Sequence, residues 1–300
     1  VTAKTQASDA RLQGRVTAVH GRHYRVETAD RSLYECVTRG KKGGMACGDH
    51  VRFSVTSAGY GAIEQTLPRK NLLYRSDRFR SKILAANVDH VFVVVAAVPT
   101  PDIDLLNRCL VACEAAGISV SIVVNKADLS ESSALLGRMS AYEKLGYTLI
   151  VLSALKDIAP LRAALAEGTS ILIGASGVGK STLINALIPE AEIATQAISS
   201  ALDTGKHTTT HTRLYHLLES GSLIDSPGMQ EFGLWHLKAP ELQGAFPEFR
   251  DKIGHCRFYN CRHLKEPGCA ILDAVEIGEI QRDRWRVYRD LTEEIGKTLY

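Results

Sequence analysis

The sequence predicts an α/β protein in which a parallel sheet, covered by helices on both faces, stands between a small β-barrel and a metal-binding helical segment. Three observations predict it. Apolar β-rich runs alternate with helix-like segments between residues 90 and 187. Five short alternating runs precede them, and three cysteines with a histidine crowd into a short stretch after them. A chain of 300 residues is longer than one compact domain needs. With 45% apolar residues and a formal net charge of only +3, its composition is globular rather than disordered or collagen-like. The apolar run at 91–98 is far too short to cross a bilayer. The first residues are polar and lack the apolar core of a signal peptide, so a cytoplasmic protein without membrane contact is expected.

The first element is the barrel. Residues 15–20, 24–28, 32–37, 50–55 and 61–64 alternate apolar with polar and are separated by glycines and charged turns. Short strands at this spacing suggest a small all-β unit, and a five-stranded barrel of the OB type fits best; such barrels often bind nucleic acid. Up to Arg75, basic residues outnumber acidic ones roughly two to one, which suits a polyanionic partner.

The sheet follows. Strands are expected at 90–97, 119–124, 148–152 and 170–174, with helices at 103–116, 131–145, 160–166 and 179–187 between and after them. Fully apolar strands alternating with helices imply a parallel sheet buried on both faces. Two more strands, 212–218 and 222–224, lead to a turn-rich region, and the tail from 279 onward reads as helix.

The motifs lie at the ends of these strands. Gly174, Ala175, Ser176, Gly177, Val178, Gly179, Lys180 and Ser181, followed by Thr182, fit G-x-x-x-x-G-K-[ST] between a strand and a helix. Glycines let successive backbone N–H groups converge on phosphate oxygens at the positive end of the helix. Lys180 would reach the β- and γ-phosphates and Ser181 would ligate Mg²⁺. Asn125-Lys126-Ala127-Asp128 ends an earlier strand. The Asp128 carboxylate can accept the ring N–H and exocyclic amine of guanine, a donor pair that adenine lacks. Asn125 can serve the other edge of the base, and the Lys126 stem can cover its face. Ser153 and Ala154, at the next strand end, offer a backbone N–H to the guanine oxygen. The expected ligand is therefore GTP or GDP, with the base-reading motif ahead of the phosphate loop.

Downstream come Gly205-Lys-His-Thr-Thr-Thr210 and Asp225-Ser-Pro-Gly228. A loop threonine, expected to be Thr209, would close on Mg²⁺ and the γ-phosphate; Asp225 and the Gly228 N–H would support metal and phosphate. Met229 stands where many GTPases have a glutamine that orients water, so His207 is the catalytic candidate beside Lys180 and Thr209. Slow intrinsic hydrolysis, accelerated when a partner orders this loop, is expected.

Of seven cysteines, Cys36, Cys47, Cys109 and Cys113 read as small core residues. Cys256, Cys261, His263 and Cys269 supply the four N/S ligands of one closed, structural Zn²⁺ site, with His255 a competitor for the imidazole position.

With these residues the sequence resembles the RsgA (YjeQ) family of circularly permuted ribosome-assembly GTPases. The resemblance also runs through Pro68-Arg-Lys-Asn-Leu-Leu-Tyr-Arg75, Ala85-Ala-Asn-Val-Asp89, Glu231-Phe-Gly-Leu234 and His263-Leu-Lys-Glu-Pro-Gly-Cys269. Lys206, for the family's usual arginine, and Asn260, for a frequent aspartate, depart from it without touching a proposed ligand. It implies an OB domain over 1–75, a circularly permuted P-loop GTPase domain over 76–238 and a zinc-binding helical domain over 239–300. It further implies that a monomer binds the small (30S) ribosomal subunit and its rRNA late in maturation, and that GTP hydrolysis stimulated by the particle drives release. The competing expectation is an RNA-binding protein that uses GTP mainly as a structural or switching ligand.

Overall fold

The computed structural model describes residues 11–38, 44–76, 81–188, 212–218, 220–225 and 234–296. Five strands open the chain: β1 (Arg11–His20), β2 (His23–Glu27), β3 (Leu33–Thr38), β4 (His50–Ser57) and β5 (Tyr60–Thr66). They run in the order β1-β2-β3-β5-β4, and β4 returns to pair with β1, which closes a barrel. Alternation drives the closure: Val16, Tyr24, Val26, Cys36, Val51, Phe53 and Ile63 all point into one apolar centre. Gly14 lets β1 and β2 cross closely, because a Cβ there would lie 2.5 Å from Val26 Cγ1.

The second layer is built on β8 (His90–Ala96), β9 (Ser119–Asn125), β10 (Thr148–Val151), β11 (Thr169–Ile173), β12 (Thr212–His216) and β13 (Ser222–Asp225), in the order β10-β9-β8-β11-β13-β12. All neighbours are parallel except β12 and β13. The central strand β8 shows why: Val91, Val93 and Val95 enter one core while Phe92, Val94 and Ala96 enter another. A strand apolar on both faces needs a cover on each. Helices α1 (Ile103–Ala116) and α2 (Ser132–Lys144) supply one cover, α3 (Ala159–Ala164) and α4 (Lys180–Leu187) the other. Helix α1 starts where the Asp102 carboxylate accepts from the Leu105 N–H at 2.9 Å and stops at Gly117, which is left-handed at φ 62°.

Two features were not expected from sequence. A hairpin of β6 (Leu72–Ser76) and β7 (Ser81–Ala86) follows the barrel, and its ladder spans positions 75 and 76. Strand β1 outgrows the barrel: past a register shift between Val16 and Ala18, it pairs with β12 through Ala18–Arg213 and Val19–Thr212. Barrel and parallel sheet therefore form one continuous hydrogen-bonded surface.

The C-terminal helices α5 (Ala239–Gly244), α6 (Ala270–Glu276) and α7 (Arg282–Gly296) join the α1 side of the sheet in one core. Arg284, 1% exposed, bonds Glu248 Oε1 at 2.6 Å and Asn107 Oδ1 of α1 at 2.8 Å. Arg108 of α1 meets Glu294 of α7, and Phe246, Phe249 and Tyr288 stack edge and face beneath them.

Candidate nucleotide site and metal centre

Parallel pairing brings the carboxyl ends of β8, β9, β10, β11 and β13 to one edge, where an open α/β sheet takes its ligands. Residues 174–179 turn there from β11 into α4. Backbone space decides the composition. A Cβ on Gly174 would lie 2.3 Å from Val94 O, and one on Gly179 would lie 2.2 Å from Asn125 Nδ2. Gly177 and Gly179 also take φ of 78° and 99°. The Lys180 ammonium lies across the loop, donating to Gly174 O at 2.7 Å and Ala175 O at 2.6 Å. Burial lowers its pKa, opposed by the Asp225 charge; burial raises the Asp225 carboxyl, opposed by Lys180. Each thus sits in a poorly solvated space and feels the charge of the other. Ser181 and Thr182 stand exposed at the first turn of α4.

The base-reading motif is tied to this loop. Asn125 is 1% exposed; its Nδ2 donates to Val178 O at 2.8 Å and its Oδ1 accepts from Ala154 N at 2.9 Å. One amide thus clamps three segments: the end of β9, the phosphate loop and the turn after β10. Sequence reasoning assigned Asn125 only to the base and missed this brace, since nothing local in the motif names Val178. Lys126, at φ 60°, reaches over to Val98 O and Gly177 O, both at 2.8 Å. A hydrogen bond from Ser153 is the chief cause that lowers the Asp128 carboxyl from its usual range, with Lys156 3.9 Å away. The structure therefore brings residues 125–128, 153–154 and 174–182 together with Asp225. His207, Thr209, Gly228 and Met229 lie outside the described residues.

Cys256, Cys261, His263 and Cys269 form the second constellation, their ligand atoms all within 4.8 Å of one another. Cys256 Sγ lies 3.5 Å from His263 Nδ1 and 3.9 Å from Cys269 Sγ; Nδ1 lies 3.3 Å from Cys269 Sγ. A tetrahedron with Zn–S of about 2.3 Å and Zn–N of about 2.0 Å has edges of roughly 3.8 Å and 3.5 Å, so these residues fit the ion. Burial pushes the Cys269 thiol up to about 12, an environment in which only a bound cation makes thiolates favourable. His255 is exposed and outside the group. The ligand loop is anchored from behind: the Trp285 Nε1–H donates to His263 O at 2.8 Å, and the Tyr288 hydroxyl to Arg262 O at 2.9 Å. Burial raises the Glu266 carboxyl, but backbone N–H groups led by Lys265 and Leu264 outweigh it and hold it at about 2.

Comparison with known proteins agrees with this geometry. The family model described as RsgA GTPase matches residues 66–235, more than half of the chain. A relative from Nitrosospira multiformis, named small ribosomal subunit biogenesis GTPase RsgA, is 51% identical over 93% of this chain and 90% of its own. The crystal structure of YjeQ from Thermotoga maritima is 30% identical with a TM-score of 0.74, covering 95% of this chain and 99% of that one. That of YloQ, described as a circularly permuted GTPase, is 27% identical with a TM-score of 0.72 and covers 98% of each. With an Asn-Lys-Ala-Asp motif that precedes its phosphate loop in sequence yet clasps it in space, a closed barrel before the sheet and a Cys3His cluster after it, the chain belongs to the RsgA GTPase family.

Proposed function

We propose that this protein binds the small ribosomal subunit and its rRNA late in maturation and hydrolyses GTP, with hydrolysis stimulated by the subunit and linked to release. The observation that carries the nucleotide part is the Asn125 clamp, which makes base reading and phosphate binding one rigid unit. In this reading Asp128 accepts from guanine, Lys126 covers the base, and a backbone N–H of the Ser153-Ala154 turn serves the guanine oxygen. Backbone N–H groups of residues 174–182 cradle the phosphates, and Lys180 leaves the loop carbonyls for the β- and γ-phosphates. The Ser181 hydroxyl would ligate Mg²⁺ together with Thr209, with Asp225 as the supporting carboxylate. His207 orients the attacking water and the Gly228 N–H meets the γ-phosphate. A structural Zn²⁺ held by the Cys3His cluster completes the cofactor set.

The domain division follows the same reading: an RNA-binding barrel over 1–75, the GTPase domain over 76–238 and the zinc domain over 239–300. The relatives' name for the small subunit supports the partner. So does Tyr259, fully exposed between two cluster cysteines and next to Phe258, whose ring Arg257 covers. The protein acts as a monomer, and a ribosomal partner sets its compartment as the cytoplasm. Among the described residues, no helix is long and apolar enough to cross a membrane.

Multiple-turnover phosphate release measured with purified small subunits, large subunits and free RNA tests the whole reading. Stimulation by the small subunit alone, by tenfold or more, is expected. Equal rates with all three additions would remove the ribosomal partner, and no turnover under any condition would remove the GTPase activity.

A further inference from the structure

A cavity of about 300 Å³ opens at the seam where the barrel meets β12. Its wall is built by β1, the turn after β2, the start of β4, and β12, and it carries Arg15, Arg31, His50 and His216. Gly14 shapes it, since any side chain there would strike Val26 and the Glu27 carbonyl. Arg15 is the unusual member. Its Nη2 donates to Thr169 Oγ1 at the start of β11, whereas its Nε is buried and finds no acceptor among the described residues. No carboxylate lies within ion-pair distance of its guanidinium among those residues. Glu27, the acid in the cavity wall, already spends both oxygens, one on Arg31 at 3.0 Å and one on His216 at 2.9 Å. Asp30, just outside, is turned onto Thr28 and Ser32.

Two guanidinium groups therefore face a concave, half-desolvated space whose one carboxylate, Glu27, is already engaged by Arg31 and His216. A half-buried guanidinium whose Nε lacks an acceptor is costly, even with the charges of Asp89 and Glu27 acting on it from a distance, and its planar fork matches the oxygens of a phosphoryl group better than any neutral ligand. From these contacts we infer that the seam cavity is a second anion site that takes a phosphoryl group, carried either by a free nucleotide or by a polynucleotide backbone. It is separate from the phosphate loop. Thr169 begins β11 and the loop follows its far end, a strand length of about 16 Å away. Occupancy would tie β1 and β2 of the barrel to β12, the strand that follows the switch segment in sequence.

The test uses the full chain loaded with one equivalent of GDP, so that the phosphate loop is filled. The imidazole ¹⁵N–¹H signals of His50 and His216 are followed during titration with inorganic phosphate and, separately, with a tetrauridine oligonucleotide. Saturable shifts of both histidines are expected with at least one probe. Arg31→Gln weakens that binding at least fivefold, and Arg15→Gln abolishes it. Saturation by inorganic phosphate alone assigns a free phosphoryl ligand; tighter saturation by the oligonucleotide assigns a backbone phosphate. Because Arg15→Gln could disturb the seam itself, the exposed Arg31 variant decides the matter. The inference is overturned if neither probe shifts the two histidines saturably, or if Arg31→Gln leaves both titrations unchanged.

Discussion

At the scale of single residues, two side chains show how the nucleotide site holds its shape at a cost. Asn125 satisfies a buried carbonyl and a buried N–H that belong to different segments. Asn125→Ala strands both, at about 1–3 kcal/mol for each unpartnered group. GTP affinity is expected to fall at least tenfold by calorimetry, while the far-ultraviolet circular dichroism stays that of the wild type. Asp225 runs the other way. Burial raises its carboxyl above the ordinary 3.8, with Lys180 only partly opposing. A raised folded-state pKa means that the folded state holds the proton more tightly. Ionised Asp225 is therefore neutral in its effect below the unfolded value and destabilising above the folded one. Asp225→Asn should raise the thermal midpoint of the nucleotide-free protein at pH 8 and lose that gain as the pH falls toward 4, while GTP turnover drops. A midpoint that falls at pH 8 would contradict this sign.

At the scale of elements, the C-terminal segment depends on its cluster. Helix α6 is short, and the loop between residues 255 and 269 is held by the ligand group and by Trp285 and Tyr288 of α7. Metal release is expected to loosen this loop first, because a structural zinc site contributes its binding energy directly to folding. The as-purified protein should contain one zinc per chain, and Cys261→Ala should contain almost none. Hydrogen exchange of residues 255–296 should rise by more than tenfold on chelation, with β8 to β11 unchanged. The strands themselves were legible in the sequence to within a few residues, because two-sided apolar runs such as 90–96 leave little choice. The β6–β7 hairpin was not, since residues 72–86 carry neither a clean alternation nor a turn signature that separates them from a linker.

At the scale of the whole molecule, three parts that read as separate units in sequence share structure. β1 bonds to β12, and α1 receives the C-terminal helices through Arg284, Glu248 and Asn107. Glu248 and Arg284 are almost fully buried, so breaking the pair leaves a charge in the core. Glu248→Gln should cost about 3 kcal/mol in urea unfolding, and the Glu248→Gln, Arg284→Met double variant clearly less than the single one. Equal losses in the two would mean that the pair is not what holds α7 to the 247–249 turn.

The sequence by itself determined the parts whose chemistry is local. A phosphate loop needs its glycines and lysine next to one another, the Asn-Lys-Ala-Asp motif fits in four residues, and the three cysteines and one histidine of the cluster lie within one loop. It also determined their order, with residues 125–128 ahead of the phosphate loop. Only the tertiary structure decided how those parts meet: Asn125 on Val178, β1 on β12, Arg15 against Thr169, Arg284 on Asn107. Each of these joins residues far apart in the chain, and a donor or an edge strand carries no local mark of the acceptor it will find. Such pairings are selected by burial, which penalises any polar group left without a partner, and burial is set only when the whole chain has closed.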